Sequence, residues 1–137
     1  MLSIVPFEAR HLEMLPRAKA ALSDIEWQLL QEQQYSYTLL HGERAVACAG
    51  VVKHWEGRGE GWMFIGPHSR SELMFLCRAV KRFFAYCPFR RVEAVVKDDF
   101  LPAHKWVRKF GFRVEGRLRS YSPSGEDMVL YSKIRGH

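Results

Sequence analysis

No apolar run in the chain approaches the ~20 residues that a membrane-spanning helix needs. The opening residues, MLSIVPFEARHLEML, lack a basic start followed by a continuous apolar stretch, so no signal peptide is expected. Cysteine is scarce: Cys48, Cys77 and Cys87 are odd in number, and no pair has metal-ligand spacing. That excludes a closed disulfide framework, and no zinc set can be assembled from these cysteines and the scattered histidines. Three free, buried thiols fit a reducing, cytoplasmic setting. Acidic residues are in deficit, 15 against 21 Lys and Arg, and 12 of those cations lie between Arg78 and Arg119. Such a basic half attracts nucleic acid, acidic protein or a phosphorylated cofactor. A glycine-rich phosphate cradle is also missing. Gly57, Gly59 and Gly61 precede a strand instead of opening a helix, which is the wrong context for a dinucleotide or P-loop motif.

What is present is an ordinary globular composition, 47% hydrophobic and 26% charged, in 137 residues. One domain spanning 1–137 is expected, without repeats or linkers. A strand is read at 2–5 and a helix start at 8–15, which Pro16 should break. Ser23 caps a helix over 24–34, with Ile25 and Leu29, and Trp27 or Leu30, facing inward. Strands at 35–40 and 45–52 flank the turn His41-Gly42-Glu43. The glycines at 57–61 form the next turn, followed by a strand at 62–65. Ser69 and Glu72 have capping-box spacing at the start of a helix to Tyr86. Its inward stripe is Leu73, Leu76, Cys77, Val80 and Phe84. A strand at 92–96 completes a β-α-β crossover, so it should run parallel to 62–65. A short helix over 101–110 has Asp98 or Asp99 near its N-cap, Pro102 in its first turn and Gly111 as its stop. Strands at 112–121 and 128–134 close the chain around Ser122-Pro123-Ser124-Gly125. Leu76, Val80, Val95, Phe110 and Phe112 are the expected core. The order β-α-α-β-β-β-α-β-α-β-β defines an α/β (α+β) domain. Its sheet is mixed and mostly antiparallel, with a central parallel pair and helices on both faces.

That order resembles the GNAT acyltransferase superfamily over essentially the whole chain. The local match is best in the last third: VEAVV, a short helix ending KWVRKFGF, a turn with SGED, and the closing strand MVLYSKI. The resemblance implies acetyl-coenzyme A as cofactor and a small amine or a protein as acyl acceptor. In the family, a glycine-containing loop at the start of the long helix holds the pyrophosphate on backbone N–H groups, aided by the helix dipole. The corresponding residues here are Ile65, Gly66, His68, Ser69, Arg70 and Ser71, without the family's Arg/Gln-x-x-Gly-x-Gly/Ala pattern. Glu72 places a carboxylate beside them, which Arg70 and His68 compensate. The family's Asn and Tyr on the short helix fall on Phe100 and Val107. Asp99 is the nearest polar substitute for the Asn. Neither Val107 nor its neighbour Trp106 can protonate a leaving thiolate. An amine acceptor needs a base, and the candidates are Glu60, His54 and His104. No metal is implied.

The opening LSIVPFEARHLE and the missing glycine signature are also similar to small GNAT-like proteins of short-tailed bacteriophages, including internal virion proteins. Two functions follow as expectations: an N-acetyltransferase with a degenerate cofactor loop, or a non-catalytic phage-particle or interaction protein. Nucleic-acid binding through the basic half ranks below both, because Phe83, Phe84, Phe89 and Trp106 read as core residues and not as a stacking platform.

Overall fold

Seven strands join in one sheet in the computed structural model, which describes residues 1–136, and the strand order is β1-β2-β3-β4-β5-β7-β6. The strands are β1 (Leu2–Pro6), β2 (Tyr35–His41), β3 (Arg44–Trp55), β4 (Arg58–Ile65), β5 (Arg91–Lys97), β6 (Arg113–Leu118) and β7 (Met128–Ile134). Four helices lie between them: α1 (Pro16–Ala21), α2 (Asp24–Glu32), α3 (Arg70–Tyr86) and α4 (Leu101–Lys109). The pairs β1–β2, β2–β3, β5–β7 and β6–β7 are antiparallel, while β4 and β5 are parallel. The parallel ladder runs from Arg58↔Arg91 to Glu60↔Glu93, at the start of β4. The chain divides into two compact units. The first is Met1–Val52 with Gly61–Ala85; the second is Lys53–Glu60 with the chain from Tyr86 onward.

In the first unit, Glu8 opens a 3-10 turn over Ala9–Met14, and Pro16 then begins α1 instead of breaking a helix. At the first helical position the missing proline N–H is no loss and the fixed φ suits the helix. Ser23 caps α2 as the sequence predicts. The inward face differs. Trp27 is buried, whereas Ile25 and Leu29 are exposed. Both sit two residues, about 200° of helical rotation, from Trp27, so one choice excludes the other. The indole has the larger apolar area to bury. It meets Phe7, Trp62 and Phe64 at ring-centroid distances of 5.6, 5.9 and 5.4 Å. Gly50 on β3 permits this closeness: a Cβ there would lie 2.2 Å from the Tyr35 carbonyl and 2.9 Å from Trp62 Nε1. A second cluster gathers Leu39, Val46, Ala47 and Leu76, with Val80 only partly buried against it.

The predicted glycine turn is shorter than expected. Only Glu56 and Gly57 turn, and Gly59 and Gly61 lie within β4. His54 and Glu60 therefore sit on β3 and β4 instead of in the connection.

In the second unit, Val92, Ala94 and Val96 are buried, while Val95 is half-buried on the opposite side of β5. Neither Asp98 nor Asp99 caps α4; Phe100 occupies the N-cap without a side-chain bond. Both aspartates have cation partners instead: Arg117 holds Asp98 at 2.9 Å and Lys97 lies 3.9 Å from Asp99. Gly111 ends α4 at φ +90°, with its N–H on the Arg108 carbonyl and the Phe112 N–H on that of Val107. This is the paired bonding of a Schellman cap. Phe110 and Phe112 on either side are buried. β6 stops at Leu118, short of Tyr121, and Gly125 closes the following turn on the Ser122 carbonyl at 2.8 Å.

Candidate functional site

The start of α3 is built by two residues acting on each other. Ser69 Oγ accepts the Glu72 N–H at 3.2 Å, and Glu72 accepts the Ser69 N–H at 2.7 Å. The sequence makes Glu72 a charge facing the cofactor's phosphates; the structure does not. Its carboxylate is only 2% exposed, bonded to His41 at 2.7 Å and to Arg44 beyond the β2–β3 turn. The Ser69 N–H first, then His41, hold its pKa down at about 2 against the desolvation of burial. The charge is thus formed and locally neutralised. Of the other predicted cofactor residues, Ile65 is half-buried against the Leu39–Val46–Leu76 cluster. The Gly66 N–H is spent on the Val46 carbonyl at 2.8 Å, and His68 Nδ1 donates to the Gly66 carbonyl at 3.0 Å. The Arg70 and Ser71 N–H groups have no protein acceptor among the described residues, and both side chains are exposed.

The second unit brings together His54 and Glu60, with Nε2 3.2 Å from the carboxylate and both side chains partly exposed. An ionised carboxylate only accepts. It therefore keeps the His54 proton on Nε2 and leaves Nδ1 as an acceptor. Beside them Arg58 lies 4.2 Å over the Trp55 ring and grips Glu93 through two bonds of 2.7 and 2.9 Å. Arg91 continues the chain, bonding Glu93 at 2.7 Å and Glu115 at 2.6 and 2.7 Å, while Ser132 donates to Glu115. Arg58 first, opposed by burial and then joined by Arg91, lowers Glu93 to about 2; Arg91 and then Ser132 lower Glu115 to about 2. Among the described residues Glu60 has no Lys or Arg within ion-pair distance, although its charge helps to raise the Arg58 pKa.

His104, the third base candidate, has both ring nitrogens engaged. Nε2 lies 3.1 and 3.0 Å from the carbonyls of Lys97 and Asp98, so it carries the proton. Nδ1 accepts from the buried Tyr131 hydroxyl at 2.7 Å. Asp99 is exposed at the surface.

Residues that sequence reasoning missed are His41, Arg44, Arg58, Arg91 and Glu115. The Ser-x-x-Glu spacing signals the cap, but partners 28 and 31 residues away carry no local signature. Cys48 and Cys87 are buried and Cys77 half-buried; burial pushes the Cys48 thiol up to about 12. Among the described residues no cluster of His, Cys, Asp and Glu is placed to hold a metal. No described helix is long and apolar enough to cross a membrane.

The sequence matches no protein-family model and no curated protein. Solved structures do match. A GNAT-family acetyltransferase from Streptococcus pneumoniae is 16% identical, with TM-score 0.71 over 99% of this chain and 100% of that one. A putative phosphinothricin N-acetyltransferase gives 0.77 at 15% identity, covering both chains completely. A GNAT-family acetyltransferase from Bacillus anthracis gives 0.74 at 16%, over 99% and 96%. The mixed sheet with its parallel β4–β5 pair is therefore the GNAT fold.

Proposed function

We propose that residues 1–137 form one GNAT-like domain acting as an N-acetyltransferase with a reduced cofactor loop. The observation that carries it is the His54–Glu60 pair, a carboxylate and an imidazole in contact and partly open to solvent, beside the Arg58–Glu93 ion pair. Glu60 attracts a cationic amine, and His54 Nδ1, oriented by the bond from Nε2, takes its proton. His104 has no such role, because Tyr131 and two carbonyls occupy it. Acetyl-coenzyme A, which the fold implies, would supply the activated acetyl group. The donor set fits it in part. Arg70 and Ser71 offer backbone N–H groups, and Arg70 and His68 offer cationic or polar side chains. Glu72 no longer repels, since His41 and Arg44 answer its charge, but it has taken the Ser69 N–H. Weak affinity follows. Val107 leaves the departing thiolate without a proton donor, which slows turnover without abolishing it. The acceptor is a small amine or a protein amine, and the setting is cytoplasmic.

A second function, a non-catalytic phage-particle or interaction protein, is favoured by one observation: the Ser69–Glu72 capping box takes two of the backbone N–H groups at the start of α3 away from any ligand. Calorimetry with acetyl-coenzyme A, then thiol release on a panel of amines, separates the two. Turnover that Glu60→Gln and His54→Ala each lower by roughly 10²-fold supports the enzyme. No binding at millimolar cofactor overturns it in favour of the particle protein.

A further inference from the structure

The positive charge is concentrated in one unit. The second unit has 13 Lys and Arg against 8 Asp and Glu, which leaves the first unit almost balanced, 8 against 7. Nearly all acids of the second unit are already committed: Glu93 and Glu115 to Arg58 and Arg91, Asp98 and Asp127 to Arg117, Asp99 and Glu126 to Lys97. What remains uncompensated lies on and just after α4. Residues 101–114 contain no acid, and Lys105, Arg108, Lys109 and Arg113 are exposed without an acidic partner among the described residues. Lys105, Arg108 and Lys109 follow i, i+3, i+4 spacing, so they form one stripe on the helix surface. The helix dipole explains a cation in the last turn; it does not explain the absence of any balancing acid over fourteen residues.

We propose that the α4 stripe, extended by Arg113, binds the phosphate backbone of a nucleic acid without reading its sequence. Three cations fall within about 6 Å of helix axis, a density that suits a duplex carrying about one charge per 1.7 Å. A folded protein partner would need an apolar anchor at the centre of its contact. The last two turns of α4 expose no large apolar side chain, since Trp106 and Val107 are half-buried and Phe110 is buried; the exposed Leu101 and Val114 lie at the two ends of the stretch and form no central anchor. Sequence-specific readout has no support either, since no exposed Asn or Gln accompanies the stripe.

The test is fluorescence anisotropy of the full chain with a labelled mixed-sequence DNA duplex across a salt series. The expected slope of log affinity against log salt is about −3 to −4, for three or four phosphate contacts. The triple variant Lys105→Gln, Arg108→Gln, Lys109→Gln should lose about 3 of that slope and roughly tenfold or more in affinity. Arg17→Gln, an exposed cation of the first unit, should leave both unchanged. Circular dichroism of the triple variant checks that α4 still folds. A slope near zero, or equal losses in both variants, overturns the proposal. Equally tight binding of a poly-glutamate peptide of matched charge overturns it in favour of an acidic protein partner.

Discussion

Ser69 and Glu72 cap α3 reciprocally, and Glu72 at the same time anchors the β2–β3 turn through His41 and Arg44. One carboxylate thus joins a helix start to a hairpin that is distant in sequence.

Acid should therefore loosen the first unit. The folded-state pKa of Glu72, about 2, lies below its ordinary 4.5, so its contribution is complete above pH 4.5 and disappears as pH falls through 2. Glu93 and Glu115 add losses of the same sign in the second unit. Melting temperature measured against pH should fall across that window. Glu72→Gln should melt lower at neutral pH and show a smaller acid drop; an acid profile identical to the parent's would contradict the assignment.

His104 is expected to act on stability. His104→Ala leaves the buried Tyr131 hydroxyl without its acceptor, at a cost of about 1–3 kcal/mol. Denaturant unfolding of His104→Ala, Tyr131→Phe and the double variant should show positive coupling, the double costing less than the sum. Simple additivity would show that the bond contributes nothing.

Gly111→Ala should destabilise by about 1–2 kcal/mol, because φ of +90° is disfavoured for any residue with a Cβ. That Cβ would also meet Lys133 Nζ at 2.7 Å, though a flexible side chain can move aside. An unchanged unfolding midpoint would mean that the cap relaxes freely.

Truncation of the core should be graded by burial. Leu76→Ala and Phe112→Ala should each cost about 2–5 kcal/mol, and Val80→Ala less, since Val80 is only partly buried. Thermal unfolding of the three variants checks the order; Val80→Ala as the most damaging would contradict it.

Local chemistry made much of this fold readable. Ser23 and Ser69 announce their caps, Gly111 its stop, and the Val and Ala of β5 their burial. The misreadings share one cause, a structural neighbour that the residue's own identity does not reveal. Pro16 could end one helix or begin another, and the preceding 3-10 turn selects the latter. Ile25 and Leu29 look as apolar as Trp27, but the nest of Phe7, Trp62 and Phe64 takes the indole. Gly59 and Gly61 suggest a loop, yet the pairing of Gly59 with Val92 holds them in a strand. At the candidate site, the residue types His54, Glu60 and Glu72 were legible. The partners of Glu72 were not, because charge pairing over 28 and 31 residues leaves no periodicity to read.

The four tryptophans are shared evenly between the two units: Trp27 and Trp62 in the first, Trp55 and Trp106 in the second. Their surroundings also differ, since Trp27 is 2% exposed within an aromatic nest and Trp55 is 57% exposed. A shielded indole emits at shorter wavelength than a hydrated one, so the chain carries its own two-colour optical label. Replacing Trp55 and Trp106 by Phe leaves a reporter of the first unit alone, and replacing Trp62 with a conservative Phe dims it. Unfolding curves taken at the blue and red edges of the emission then show directly whether the two units melt together or one after the other.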